Sequence, residues 1–168
     1  MSAAAALTLD ELRTIDLFDD LDDDQLGEWL AVTRAHTAQA GEILVEAGEL
    51  APAVLLLLEG TIRTFLISGG HVEAGGRQSP PTWIGAVGAI TEAARGVRME
   101  AETICRVGMI DPAEFRRLAL SQPRVHRRVM QQVAPVISRV TAIEHNRERL
   151  TSLGTMAAGL AHELNNPA

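Results

Sequence analysis

The sequence predicts an α+β chain: a β-sandwich or barrel flanked by short N-terminal helices and a long C-terminal helix. Three observations carry this. Helix start signals occupy residues 1–40, short β-rich runs punctuated by glycine occupy 41–111, and valines and isoleucines at helical spacing follow residue 123. A chain of 168 residues, 46% of them apolar, can bury one substantial core, so one domain with an appendage fits better than two full domains.

At the N-terminus, Thr8 stands three residues before Glu11, and Asp22 three before Gln25. At that spacing the cap side chain and the third helical side chain can each serve the other's backbone amide. Leu26, Trp29, Leu30 and Thr33 then fall on one helical face. The next elements read as strands: Glu42 to Val45, Ala53 to Leu58, Thr61 to Ser68, Thr82 to Ile84, Arg98 to Thr103 and Arg106 to Ile110. Gly48, Gly60, Gly69-Gly70, Gly75-Gly76 and Gly85 separate them. Many short strands imply a sandwich or barrel. Asp111-Pro112 is a cap followed by proline at the first helical position, which predicts a helix to about Ser121, and Pro123 can start the next. Beyond it, Val129, Val133, Val136, Val140 and Ile143 form a narrow apolar stripe, as in a helix that pairs with a copy of itself. Pro135 inside the stripe predicts a kink or a division, because it removes one backbone bond and crowds the preceding turn.

Composition excludes several classes. The longest central apolar run, Ala53 to Leu58, is far short of the roughly 18 residues of a membrane span. No basic segment precedes the N-terminal alanines, which argues against a secretory signal. Cys105 is the single cysteine, so neither an internal disulfide nor a thiolate cluster is expected, and a reducing cytoplasmic setting is the simple reading. The net charge of −7 is unevenly spread: residues 1–60 hold 13 acidic and 2 basic side chains, the remainder 9 and 13. The acidic front disfavours a nucleic-acid surface there and reads as a solvated face. His36, His71, His126 and His145 have no mutual metal-ligand spacing, so no metal is expected.

Three stretches taken in order resemble the cyclic-nucleotide-binding domains of catabolite-activator-type regulators and cyclic-nucleotide-gated sensors. They are Leu12-Arg13-Thr14-Ile15-Asp16-Leu17-Phe18, Ala40-Gly41-Glu42-Ile43-Leu44-Val45-Glu46-Ala47-Gly48-Glu49 and Leu57-Leu58-Glu59-Gly60-Thr61-Ile62-Arg63. The resemblance covers about Leu7 to Ile143 and implies a jelly-roll β-sandwich of that type. It also implies a ligand site in which a short helix after a glycine offers its first amides to a cyclic phosphate, an arginine neutralises the charge, and a glutamate after the glycine receives the ribose hydroxyl. Here Gly85 matches the turn and Arg95 the phosphate arginine, with Val87 and Gly96 beside them, but Ala86 stands at the glutamate position. An alanine accepts no hydrogen bond, and an unpaired ribose hydroxyl in a buried site loses about 1–3 kcal/mol, roughly ten- to hundred-fold in affinity. A vestigial pocket, a different small anionic or apolar ligand, and a weakly held cyclic nucleotide are the readings left open.

The end of the chain, Glu148 to Pro167, resembles over about twenty residues the histidine box of the phosphotransfer domain in two-component sensor kinases. Leu150, Leu153, Ala157, Leu160 and Leu164 follow the spacing of a helix seam, and on that register His162 points away from it. The resemblance makes His162 the phosphoacceptor, Glu163 its orienting general base and Asn166 the residue that positions water in dephosphorylation. Zinc-protease chemistry is excluded, because Asn166 stands where the second histidine of that motif belongs.

These readings divide the chain into N-terminal helices (1–40), a cyclic-nucleotide-binding-like β-domain with its following helix (41–122), a dimerisation helix (123–149) and the start of a phosphotransfer helix (150–168). The expectation they set is the sensory and phosphoacceptor portion of a cytoplasmic protein-histidine kinase, cut just after the phosphoacceptor motif. It would be a homodimer that relays a ligand or partner signal to His162 and onward to a response regulator. ATP and Mg²⁺ would be needed by the full-length kinase but not bound by this portion, which should be inactive alone. The alternatives are a ligand-binding dimeric regulator of the catabolite-activator type, and a dimerisation module without chemistry.

Overall fold

The computed structural model describes residues 6–50, 52–68, 71–92 and 97–132. The elements below belong to one compact unit, Met1–Met130. Helix α1 (Leu9–Arg13) opens with both halves of the expected capping box: Glu11 N donates to Thr8 Oγ1 at 3.3 Å, and Thr8 N donates to Glu11 Oε2 at 2.9 Å. Helix α2 (Asp23–Val32) is capped by Asp22, which accepts from Gln25 N at 2.8 Å. It buries Leu26 and Trp29 as its spacing predicts but ends before Thr33. Thr33 is already extended, and its hydroxyl donates to Trp29 O at 2.6 Å.

Among the described residues, eight strands follow in chain order: β1 (Thr33–Ala38), β2 (Ile43–Val45), β3 (Val54–Glu59), β4 (Ile62–Ser68), β5 (His71–Gln78), β6 (Thr82–Ile84), β7 (Val97–Ala101) and β8 (Cys105–Ile110). They form two antiparallel sheets, ordered β1-β8-β3-β6 and β2-β7-β4-β5. The expected sandwich is present, and β1 and β5 are additions to the strands read from sequence. Their residues lack the apolar alternation that marks a strand. In β1 only Ala38 is buried, and the segment is held by pairing with β8 from Thr33↔Ile110 to Ala38↔Cys105. The edge strand β5 is exposed almost throughout and is held by β4, with a register shift between Thr64 and Phe65.

The apolar run in β3 is continuous because both faces of this inner strand are covered. Leu55 and Leu57 lie in the cluster between the sheets with Leu44, Ile62, Ala101, Cys105 and Val107. Val54 and Leu56, also buried, take the opposite face. There Trp83, the register partner of Leu56, donates its Nε1 to Asp16 at 2.9 Å. Helix α4 (Pro112–Ser121) begins at the expected Asp111-Pro112 cap and buries Phe115, Leu118 and Ala119. Trp29 packs against Phe115 and Phe18, with ring centroids 5.6 and 5.0 Å away.

Residues 123–132 are helical, so the start at Pro123 holds. The rest of the expected dimerisation helix lies outside the described residues. Val129, the first member of the stripe expected to pair with a copy of itself, is already buried at 1% exposure in the single chain. Part of the acidic front is paired rather than merely solvated: Arg128 bridges to Asp19 at 2.6 Å and Asp20 at 3.4 Å, and Arg124 donates to Asp20 O at 2.6 Å.

On the other sheet, Glu102 accepts from Arg77 Nε at 2.6 Å, from Arg77 Nη2 at 2.8 Å and from Arg63 Nη2 at 2.8 Å. The Arg77 hydrogen bonds first, then Arg63, against the opposing effect of burial, bring its carboxyl down to about 2. A lowered folded-state value means that this carboxylate stabilises the fold above the unfolded value of 4.5, and that the contribution fades as pH falls toward about 2. Glu102→Gln is expected to flatten this acid limb: in urea unfolding, the midpoint gap between wild type and variant should shrink steadily across that window. A gap constant with pH would show that the carboxylate is not so held.

Candidate functional site

The expected ligand turn leads from β6 through Gly85 into helix α3 (Ala86–Thr91). Gly85 has φ +98°, and a Cβ there would stand 3.2 Å from Ala53 O, so glycine suits this turn on two grounds. Ala89 N donates to Gly85 O and Glu92 N to Gly88 O, both at 3.0 Å, which closes the helix. Ala86 is buried, at 1% exposure, and Val87 is half-buried. The position at which the resemblance leads one to expect a ribose acceptor therefore holds a packed methyl group. Arg95 and Gly96 lie outside the described residues, as do His162, Glu163 and Asn166. Arg98, the next arginine, is committed to Glu46 at 2.8 Å and holds that carboxyl below its usual range, with help from Ala47 N.

The other end of α3 carries features that no sequence motif marked. Glu92 has φ +51°, the left-handed region that a non-glycine residue enters at about 1–2 kcal/mol. Arg116 of α4 reaches across to it: Nη1 donates to Ala89 O at 2.7 Å and Nη2 pairs with Glu92 Oε1 at 2.8 Å. A cleft of about 370 Å³ lies there, between Leu50, Gly88 and Glu92 on one side and Asp111, Ala113 and Arg116 on the other. On β4, Thr64 follows Ile62 by two residues and so shares its inward face. Its Oγ1 is buried without a hydrogen-bond partner among the described residues. Strand alternation was the one sequence signal that could have singled out Thr64.

Residues 35–122, just over half of the chain, match the family model described as the cyclic nucleotide-binding domain. The chain belongs to that family. The cyclic nucleotide-binding domain is also similar in fold to solved structures. The sensor domain of the transcriptional regulator DNR from Pseudomonas aeruginosa is 14% identical with a TM-score of 0.68, over 79% of this chain and 90% of that one. The Thermus thermophilus catabolite activator protein is 18% identical with a TM-score of 0.62, over 80% of this chain and 62% of that one. The regulatory domain of Toxoplasma gondii PKA, solved with cAMP, is 20% identical with a TM-score of 0.62 over 80% of this chain. The chain spans about half the length of that last structure, 48%. At these identities the likeness is one of fold. No curated protein sequence matches the chain.

These matches correct the expectation of a protein-histidine kinase. They are regulatory cyclic-nucleotide-binding domains, and none brings evidence of a kinase domain. The response regulator, ATP and Mg²⁺ rested on that assignment and have no support of their own. The cyclic nucleotide-binding domain fits the catabolite-activator alternative better. Among the described residues no group of three or more His, Cys, Asp or Glu side chains could hold a metal ion, and no helix is long and apolar enough to cross a membrane. His36 is paired with Glu42 at 2.6 Å.

Proposed function

We propose that this chain is the ligand-sensing part of a regulator of the catabolite-activator type, and that the ligand is a small anion held at Gly85, Ala86, Val87, Arg95 and Gly96. The observation that carries this reading is the left-handed Gly85 opening α3 directly after β6, inside the segment that matches the family. Arg95 supplies the cation for the anionic group. Buried Ala86 leaves a ribose hydroxyl unsatisfied, so a cyclic nucleotide is held weakly, and an anion without that hydroxyl is the better occupant.

Calorimetry with cyclic AMP and cyclic GMP tests this. The wild-type chain is expected to bind roughly ten- to hundred-fold more weakly than Ala86→Glu, the shift that one regained hydrogen bond supplies. Arg95→Ala should abolish binding in both backgrounds. Tight wild-type binding unaffected by Arg95→Ala would overturn the assignment of the site, and so would a failure of folded Ala86→Glu to bind either nucleotide.

A further inference from the structure

We infer that Arg116 is a positioning residue for the ligand turn: it holds the far end of α3 in place and ties the state of that helix to α4. As a statement about ligand response the inference rests on the site proposed above; as a statement about the free protein it stands on geometry alone. Helix α3 has six residues, too few for a helix to persist on its own hydrogen bonds. Both of its flanking residues are left-handed. At Gly85 that conformation is free of strain, whereas at Glu92 it must be imposed by something outside the helix.

Arg116 is the group in place to impose it. One guanidinium binds both the carbonyl of Ala89, in the last turn, and the carboxylate of Glu92, the strained residue. A planar fork fixes two acceptors at a set spacing, which a single cation on a flexible stem does not. The Glu92 pair alone would contribute little, since that carboxylate is 64% exposed. The joint grip on carbonyl and cap gives the contact its reach over the backbone. The base of Arg116 is firm, because neighbouring Phe115, Leu118 and Ala119 are buried and Asp111 caps the helix. The cleft beside the contact, with Gly88 and Ala113 presenting little bulk, gives α3 room to shift against α4. A shift of α3 therefore either carries Arg116 with it or breaks the grip.

Amide hydrogen exchange in the ligand-free chain, read at the Ala89 and Glu92 amides of α3 and at the Phe115 and Gln122 amides of α4, tests the grip. Arg116→Ala is expected to speed exchange at Ala89 and Glu92 by about tenfold or more, and at Phe115 and Gln122 by less than about twofold. Adding Glu92→Gly to Arg116→Ala should restore much of the protection, because glycine takes the left-handed conformation unaided; a merely structural arginine would not be rescued in this way. Uniform acceleration across both helices, no acceleration, or no rescue would each overturn the inference. With cyclic AMP as the probe, α4 resonances should shift in wild type and not in Arg116→Ala. Equal shifts in both would sink the coupling and leave the ligand site standing. Absence of nucleotide binding would count against the ligand site, and the ligand-free exchange would still decide the role of Arg116.

Discussion

Gly60→Ala is expected to lose about 3–5 kcal/mol of unfolding free energy, a large part of what a domain of this size has. Gly60 turns the chain between β3 and β4 with φ +87°. A Cβ there would lie 2.3 Å from Ile104 O, 2.7 Å from Cys105 Sγ and 2.9 Å from Cys105 Cα. The left-handed backbone accounts for about 1–2 kcal/mol of the loss. The remainder comes from moving the backbone that leads into β8, the strand between β1 and β3 in its sheet. Gly41→Ala is the control: φ is +86°, but nothing lies within 4 Å of its Cβ. Urea unfolding should therefore show a loss at Gly41 of about 1–2 kcal/mol, the conformational part alone. Equal losses at the two positions would refute the close approach at Gly60.

Trp29→Ala is expected to be comparably severe, at about 3–5 kcal/mol, the range for removing a buried aromatic side chain. Trp29 is fully buried between Phe18 and Phe115, and its Nε1 donates to Gln122 Oε1 at 2.9 Å. Gln122 is itself buried, and its Nε2 donates to Glu28 Oε2 at 3.3 Å. The substitution thus opens a cavity and also orphans an acceptor that joins the N-terminal helices to the end of α4. Trp29→Phe separates the two effects. It keeps most of the ring packing, so its loss should be about 1–3 kcal/mol, the range for an acceptor left unsatisfied in a buried place. If Trp29→Phe proved neutral by urea unfolding while Trp29→Ala remained severe, the hydrogen bond to Gln122 would contribute nothing.

Much of the fold was legible because its signals are local. The Thr8–Glu11 box, the Asp22 cap and the Asp111-Pro112 start each concern residues within one helical turn, and all three are present. The buried strands were legible as apolar runs. The strands that escaped notice, β1 and β5, present few apolar side chains and exist because a neighbour supplies their hydrogen bonds. The turn at Gly85 was legible, because its one backbone conformation demands glycine. What packs beside that turn was not, because the burial of Ala86 depends on packing between elements. The histidine box shows the opposite failure: a motif close to a known one raised an enzymatic expectation that the family match, covering residues 35–122, does not support.

Caps, turns and apolar runs are matters of steric and hydrogen-bonding choice within a few residues, and for this protein they were enough to announce a β-sandwich with helices before and after it. Which strands adjoin, which carboxylates find arginines and what holds α3 are settled between residues far apart in the chain. Arg116 meets Ala89 across 27 positions, Arg63 meets Glu102 across 39, and Trp29 meets Gln122 across 93. No local rule selects such partners, because a side chain offered by one segment becomes a contact only when the packed core brings the other segment to it.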